Sequence, residues 1–276
     1  MLKTEGHPTD KIELRIVGGT WSFYPFKYQT WFIKRCFDAC NKKDSASLKQ
    51  TQKLNERADH RIVGLSIETR PDFINKEEVK RLREFGVTMA ELGVQSIYND
   101  ILKKNLRGHN VEQTILATKL LKNAGFKILY QTMPNLVGST LKKDEKMFEQ
   151  LFASPDFRPD MMKIYTCALL KRTLLYQLWK EKKYKTYTKE QLIGLIEKIK
   201  QKIPYYVRIQ RISRDIPSQL IVTGAARISN LRQILIEKMK KENWQCNCIR
   251  CREVKEKYSS RGKNTTVQTR LSGIRK

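Results

Sequence analysis

Six short apolar stretches, most of them followed by an amphipathic segment, limit what this chain can fold into more than any other feature. IELRIV (12–17), RIVGLSIE (61–68), TMAELGVQ (88–95), KILYQTMP (127–134), MMKIYTC (161–167) and YYVRIQRI (205–212) have strand composition. Helical patterns stand between them. WFIKRCFDAC places Phe32, Cys36 and Cys40 on one buried face, the two cysteines read as small core residues over metal ligands, and VEQTILATKLLKNAG ends at Gly125, which suits a C-terminal cap. Strands alternating with helices predict a parallel sheet of βα units, and a sheet of that kind collects its functional groups at the strands' C-terminal ends.

Reading those ends in order brings up Gly18-Gly19-Thr20, Glu68-Thr69-Arg70, Gln95-Ser96, Met133-Pro134-Asn135, Tyr165-Thr166-Cys167 and Arg211. Pro71 cannot continue a ladder, so the second strand stops at a carboxylate and a guanidinium, and Glu68 and Arg70 are predicted to face one site. A carboxylate binds an ammonium or hydroxyls, and Arg forks onto a carboxylate or phosphate; a structural ion pair is the alternative. The glycine pair lets a ligand approach the backbone, or simply makes a tight turn. Glu91 and Gln95 flank Gly93, and Gln95 offers both a donor and an acceptor, as adenine or ribose recognition needs. Arg107 and His109 flank a glycine in NLRGHN, and a lone His is more often a satisfied residue than a catalyst.

The 55 Lys+Arg against 28 Asp+Glu give a formal charge of +27, a field that draws polyanions, nucleic acid first. A solvated Lys-rich surface is the plainer reading. Two basic series stand out, Lys103, Lys104 and Arg107, and Arg208, Arg211 and Arg214, the latter placed by the strand pattern near the rim. No apolar run approaches the roughly 20 residues that span a bilayer. MLKTEGHPTDK lacks the apolar core of a signal peptide, and a cytoplasmic location is expected.

After residue 228 the pattern changes. SNLRQILIEKMKKENW predicts an amphipathic helix with Ser229 or Asn230 as N-cap. CNCIRC follows, and Cys246, Cys248 and Cys251 have a spacing that can set three thiolates around one zinc ion, the fourth ligand being unknown. From residue 255 the chain is polar and basic. The predicted organisation is a barrel-like unit over 1–228, a helix with a Cys-rich zinc element over 229–254, and a flexible basic tail or linker over 255–276.

GGTWSFYP, IETRPD, ELGVQSIYND, NLRGHNV, AGFKILYQTMPNL, FRPDMMKIYT, YQLWK, RIQRISRDIP and CNCIRCREV resemble, in that order, segments of the catalytic subunit of Elongator. That family comprises radical S-adenosylmethionine (SAM) enzymes that modify the wobble uridine of tRNA. The resemblance implies a partial parallel (β/α) barrel of the radical SAM type followed by a helix and a small zinc element. It implies SAM contacts for Gly18, Gly19 and Thr20 (near the methionine amino group), Glu68 and Arg70 (rim), Gln95 and Ser96 (near the nucleoside) and Lys163. Lys11 matches the lysine that contacts acetyl-CoA in the family. In such an enzyme a radical made from SAM abstracts hydrogen from the acetyl group of acetyl-CoA, and the acetyl radical adds to C5 of the uridine. tRNA is the implied partner, together with other Elongator subunits or a separately encoded remainder.

Two departures shape the expectation. The family's cysteine loop for a four-iron–four-sulfur cluster has no counterpart here, because Cys36 and Cys40 lack a third cysteine nearby; and too few residues follow CREV for an acetyltransferase-like domain. The chain therefore resembles the middle of a longer enzyme: a truncation, a split gene product or a degenerate relative, not active as an isolated chain. The alternative is a non-catalytic tRNA-binding fragment.

Overall fold

The computed structural model describes residues 4–214 and 216–254. The first half runs β1 (Lys11–Ile16), α1 (Phe26–Asn41), α2 (Leu48–Asn55), β2 (Arg61–Thr69), α3 (Lys76–Glu84), β3 (Met89–Gln95), α4 (Asn99–Lys104) and α5 (Val111–Asn123). The second half runs β4 (Lys127–Thr132), α6 (Leu141–Ala153), β5 (Met161–Ile164), α7 (Leu174–Lys180), α8 (Lys189–Lys202), β6 (Arg208–Arg211), α9 (Leu231–Lys241) and α10 (Ile249–Arg252). All six predicted strands are present. They form one sheet in the order β1-β2-β3-β4-β5-β6, and every pair is parallel. The sheet curls into a half-barrel.

Alternation along the strands sorts the residues onto two faces. Ile67, Leu92, Tyr130, Ile164 and Ile209 join one apolar core with Leu82, Leu121, Leu151 and Ile196 of the covering helices. Their neighbours Glu68, Glu91, Gln131 and Lys163 point to the other face and meet there. The half-barrel is thus apolar outside and polar within.

Sequence-local signals place the helices. Asn110 and Thr188 accept from the backbone N–H of Gln113 and Gln191, whose side chains return the bond, so α5 and α8 open on complete capping boxes. Gly125, at φ 76°, takes the left-handed position after α5 that a side chain would resist. Asn230 stands at the N-cap of α9 without a side-chain bond.

The expected buried face of α1 is corrected. Its inward residues are Gln29, Ile33, Phe37 and Asp38, whereas Phe32, Cys36 and Cys40 are half-buried one position round the helix. Leu231 and Leu235 of α9, with Cys246 and Cys248, belong to the same core as the sheet and its helices. The proposed basic tail, 255–276, lies outside the described residues.

Candidate functional site

At the C-terminal mouth, β1 ends in Gly18 and Gly19, both at positive φ (110° and 138°), a backbone that L side chains rarely adopt. A Cβ on either glycine would meet nothing within 4 Å, so the turn lies open. Gly18 N–H donates to Glu68 Oε2 at 3.1 Å. The other Glu68 oxygen accepts from Gln131 Nε2 at 2.9 Å and from Lys163 Nζ at 3.4 Å. Lys163 also pairs closely with Glu91, which is wholly buried. Glu68 stands opposite Glu91 across β2 and β3, and Lys163 reaches both from β5. Two carboxylates against one ammonium leave one formal negative charge, and it lies beside the open glycines.

Trp21, Tyr24, Tyr28 and Phe32 wall a cavity of about 160 Å³ over Gly18, Gly19 and Glu68. Thr20 is half-buried at the start of the short turn Trp21–Phe23. Glu91 Oε1, Gln95 Oε1 and Thr166 Oγ1 are buried without a partner. Gln95 ends β3 at φ 64°, a left-handed conformation that exposes its carbonyl to Met133 N–H, and Ser96 Oγ accepts from Tyr98 N–H.

Arg70 departs from the expectation that it would share this site with Glu68. Asp72, two residues on, holds its guanidinium through two bonds, one of 2.9 Å at Nε, and the guanidinium lies over the Phe73 ring at 5.4 Å. It also passes over Gly108, where a Cβ would overlap it. The strand stops at Thr69, so Arg70 follows the turn instead of the barrel interior. Behind it Arg107 donates to Gly93 O at 3.2 Å, and burial, then the neighbouring Arg70, lowers its pKa. His109 Nε2–H donates to Val94 O at 3.2 Å, a tautomer fixed by the carbonyl acceptor, and burial pushes its pKa down. Lys103 and Lys104 close α4, with the Lys104 stem lying on Gly138.

The N-terminal base of the sheet has different chemistry. Arg15, Lys127, Arg208, Arg211, Arg232 and Arg250 line a cavity of about 820 Å³, with Glu13 as its carboxylate. Arg208 pairs with Glu253 at 2.9 Å. Arg214 is not with them. It lies three residues past the end of β6, over Tyr165 at 5.4 Å, whereas Arg208 and Arg211, the first and last residues of that strand, share the cavity. Lys11 is exposed at the start of β1, in register with Arg61, also at the base.

Cys246, Cys248 and Cys251 bring three sulfur atoms within 4.8 Å of one another. The Ile249 N–H bond to Val207 O at 2.9 Å ties this loop to the start of β6. The three thiols hydrogen-bond to one another, so they ionise as a group and not independently. Two soft, buried donors and a third at the surface fit a thiolate-bound metal.

Comparison with known proteins places this arrangement. Residues 9–151 match the Radical SAM superfamily, and residues 159–241 match the Radical_SAM C-terminal domain. The chain belongs to the radical SAM superfamily. It is 50% identical over 261 residues to the tRNA uridine(34) acetyltransferase of Methanocaldococcus infernus, covering 95% of this chain and 49% of that protein. It is 36% identical over 253 residues to human Elongator complex protein 3, covering 92% of this chain and 46% of that one. The solved structure of the archaeal Methanocaldococcus infernus Elp3 with an N-terminal deletion superposes with a TM-score of 0.86 at 50% identity, covering 91% of this chain and 58% of that chain. The chain spans about half the length of the curated relatives it matches.

A radical SAM reading can be tested on these residues. The open Gly18-Gly19 backbone, the surplus carboxylate charge and the unpaired Gln95 and Thr166 oxygens fit a cationic nucleoside such as SAM. The iron–sulfur cluster does not fit the described residues. The one group of three cysteines among them stands at the base of the sheet, and Cys36 and Cys40 lie on α1 without a third. Sequence reasoning gave no role to Glu91, Gln131, Lys200, Arg232 and Arg250. Glu91 had a signal, a carboxylate inside an otherwise small and apolar strand.

Proposed function

We propose that this chain is the central part of an enzyme that modifies C5 of the wobble uridine of tRNA, using SAM and acetyl-CoA, in the manner of its Elongator-type relatives. The observation that carries the reading is the uncompensated carboxylate at the mouth. Glu68 has one oxygen on Gly18 N–H and is positioned to receive an α-ammonium there, while Lys163 and Gln131 hold it in place. Gln95 and Ser96 would meet the nucleoside, and Thr20 the approach to the glycines. Arg70 would act at the rim through its Asp72 clamp. Bound SAM would supply the hydrogen-abstracting radical. The chain's own part is to bind, orient and keep water out. The described residues offer no ligand set for the iron–sulfur cluster.

Lys11 with Arg61 would hold phosphates of acetyl-CoA, since both are exposed cations on paired strands. Cys246, Cys248 and Cys251 would hold zinc as a structural centre. tRNA would be gripped by the basic cavity at the base, with Arg208, Arg211 and Arg250 on its phosphates, and by Arg107, Arg214, Lys103 and Lys104 at the mouth. Other Elongator subunits or a remaining portion of the enzyme would complete it. A cytoplasmic location belongs to the same reading. Among the described residues no helix is long and apolar enough to cross a membrane.

Titration calorimetry with SAM tests the reading. The wild-type chain should bind, and Glu68→Gln should weaken binding at least tenfold by removing the charge that faces the ammonium. Absence of SAM binding by the folded wild type would overturn it. The second reading, a tRNA-binding module without catalysis, is favoured by the cation-lined base cavity. It predicts tRNA binding with no SAM binding. Both readings expect no 5′-deoxyadenosine from the isolated chain after anaerobic reconstitution.

A further inference from the structure

Lys200 is one of the largest fully buried side chains, 2% exposed. It lies near the end of α8, on the apolar stripe that carries Leu192 and Ile196 eight and four residues before it. Its neighbours behave differently. Lys198 reaches Glu145, and Lys202 reaches Glu145 and Glu149. Lys200 turns inward, and among the described residues it meets no carboxylate. Its hydrogen-bond acceptor there is Cys251 Sγ, at 3.2 Å.

A buried ammonium without an anion is one of the least favourable arrangements a core can hold. A neutral thiol is a poor acceptor and leaves the charge unbalanced. Three thiolates on a divalent ion, by contrast, carry a net charge of −1. Arg232 also faces the sulfurs, but its guanidinium is turned to the carbonyls of Ile209 and Gln210, each at 3.4 Å. Among the described residues no glutamate, aspartate or histidine joins the three cysteines, so the chain supplies three anionic ligands and one buried cation.

We propose that Lys200 is the positioning residue and counter-cation of a metal–trithiolate centre, its ammonium donating to Cys251 sulfur and balancing the one surplus charge of the three thiolates. The inference rests on the reading that Cys246, Cys248 and Cys251 hold a divalent metal. It further assigns α8 the task of fixing the cysteine loop to the half-barrel through the most exposed of its three sulfurs.

The test compares wild type, Lys200→Met and Lys200→Arg on the whole chain. Zinc affinity is measured by chelator competition, the sulfur-to-metal absorption band is measured with cobalt(II) in place of zinc, and melting is followed with and without zinc. Lys200→Met fills the same space without charge. It should bind zinc 10- to 100-fold more weakly, shift the cobalt band and lose part of the zinc-induced rise in melting temperature, while its metal-free melting is not lowered. Lys200→Arg keeps the charge and should recover most of the affinity. A Met variant with wild-type affinity and an unshifted band overturns the proposal, and so does an Arg variant as weak as Met, since that would make the amine itself the ligand. Wild type that binds no metal overturns the parent reading instead, and the two failures are therefore distinct.

Discussion

Among the described residues the lysines of this protein that are nearly fully buried are Lys163 and Lys200, one at each end of the sheet. Lys163 lies between two carboxylates that the fold itself delivers, Glu91 from β3 and Glu68 from β2. Lys200 lies against a cysteine sulfur. The first charge is neutralised by folding alone, and the second only when something ionises the thiols. A site closed by its own side chains is poised for a cationic ligand, whereas a site that borrows its anion from a metal couples metal binding to stability.

The largest expected effect is at the mouth. Lys163→Met should strip Glu91 of its counter-ion and leave a fully buried carboxylate, a loss of about 3–5 kcal/mol that urea unfolding would record with or without metal. If Lys200→Met destabilises the metal-free protein as much, the two lysines are equivalent and the contrast fails. Lys200→Met should instead show its deficit only in the zinc-loaded protein, where a 10- to 100-fold weaker affinity corresponds to about 1.4–2.7 kcal/mol.

A smaller effect should be read by pH. Burial holds the folded His109 pKa below its ordinary 6.5. The unfolded chain therefore binds the proton more readily, so His109 contributes stability that is present above pH 6.5 and is lost as pH falls below it toward the folded pKa. The slope is at most about 1.4 kcal/mol per pH unit. A His109→Gln variant followed by thermal melting between pH 7 and pH 5 should lose this part of the pH dependence; an unchanged profile would place the titration elsewhere.

The smallest effect should appear in RNA binding. If the basic cavity grips phosphates, replacing Arg250 with Glu should flatten the log–log salt dependence of tRNA affinity by roughly 0.7–0.9 for each phosphate no longer neutralised. Arg214→Glu should act separately, because it lies past the end of β6, over Tyr165 and outside the cavity. Equal effects from every surface cation would reduce the cavity to general electrostatics.

The sequence by itself determined the strands, their order of appearance, the glycine that ends α5 and the family. Each rests on local periodicity, on residues three or four apart, or on uninterrupted runs of matching positions. It also pointed Glu68 and Gly18 to one mouth, because parallel strands bring their ends together, whereas Lys163 was assigned there only through the family resemblance. The side-chain pairings were decided only in three dimensions. Arg70 was not legible as leaving the site, since whether a residue past the strand's last rung points inward depends on the turn and on a competing Asp72. Cys36 and Cys40 look like core positions on a helical wheel, yet the packing of α1 turns Ile33 and Phe37 inward and leaves both thiols half-buried. Arg208, Arg211 and Arg214 look like one series in sequence, but β6 ends at Arg211, and the chain beyond it carries Arg214 onto Tyr165, outside the cavity that Arg208 and Arg211 share. Lys200 reads as one more lysine in a basic helix. Only the approach of a loop some fifty residues later puts a sulfur beside its ammonium, and charge balance across so long a separation is a property of the fold, not of any local run of residues.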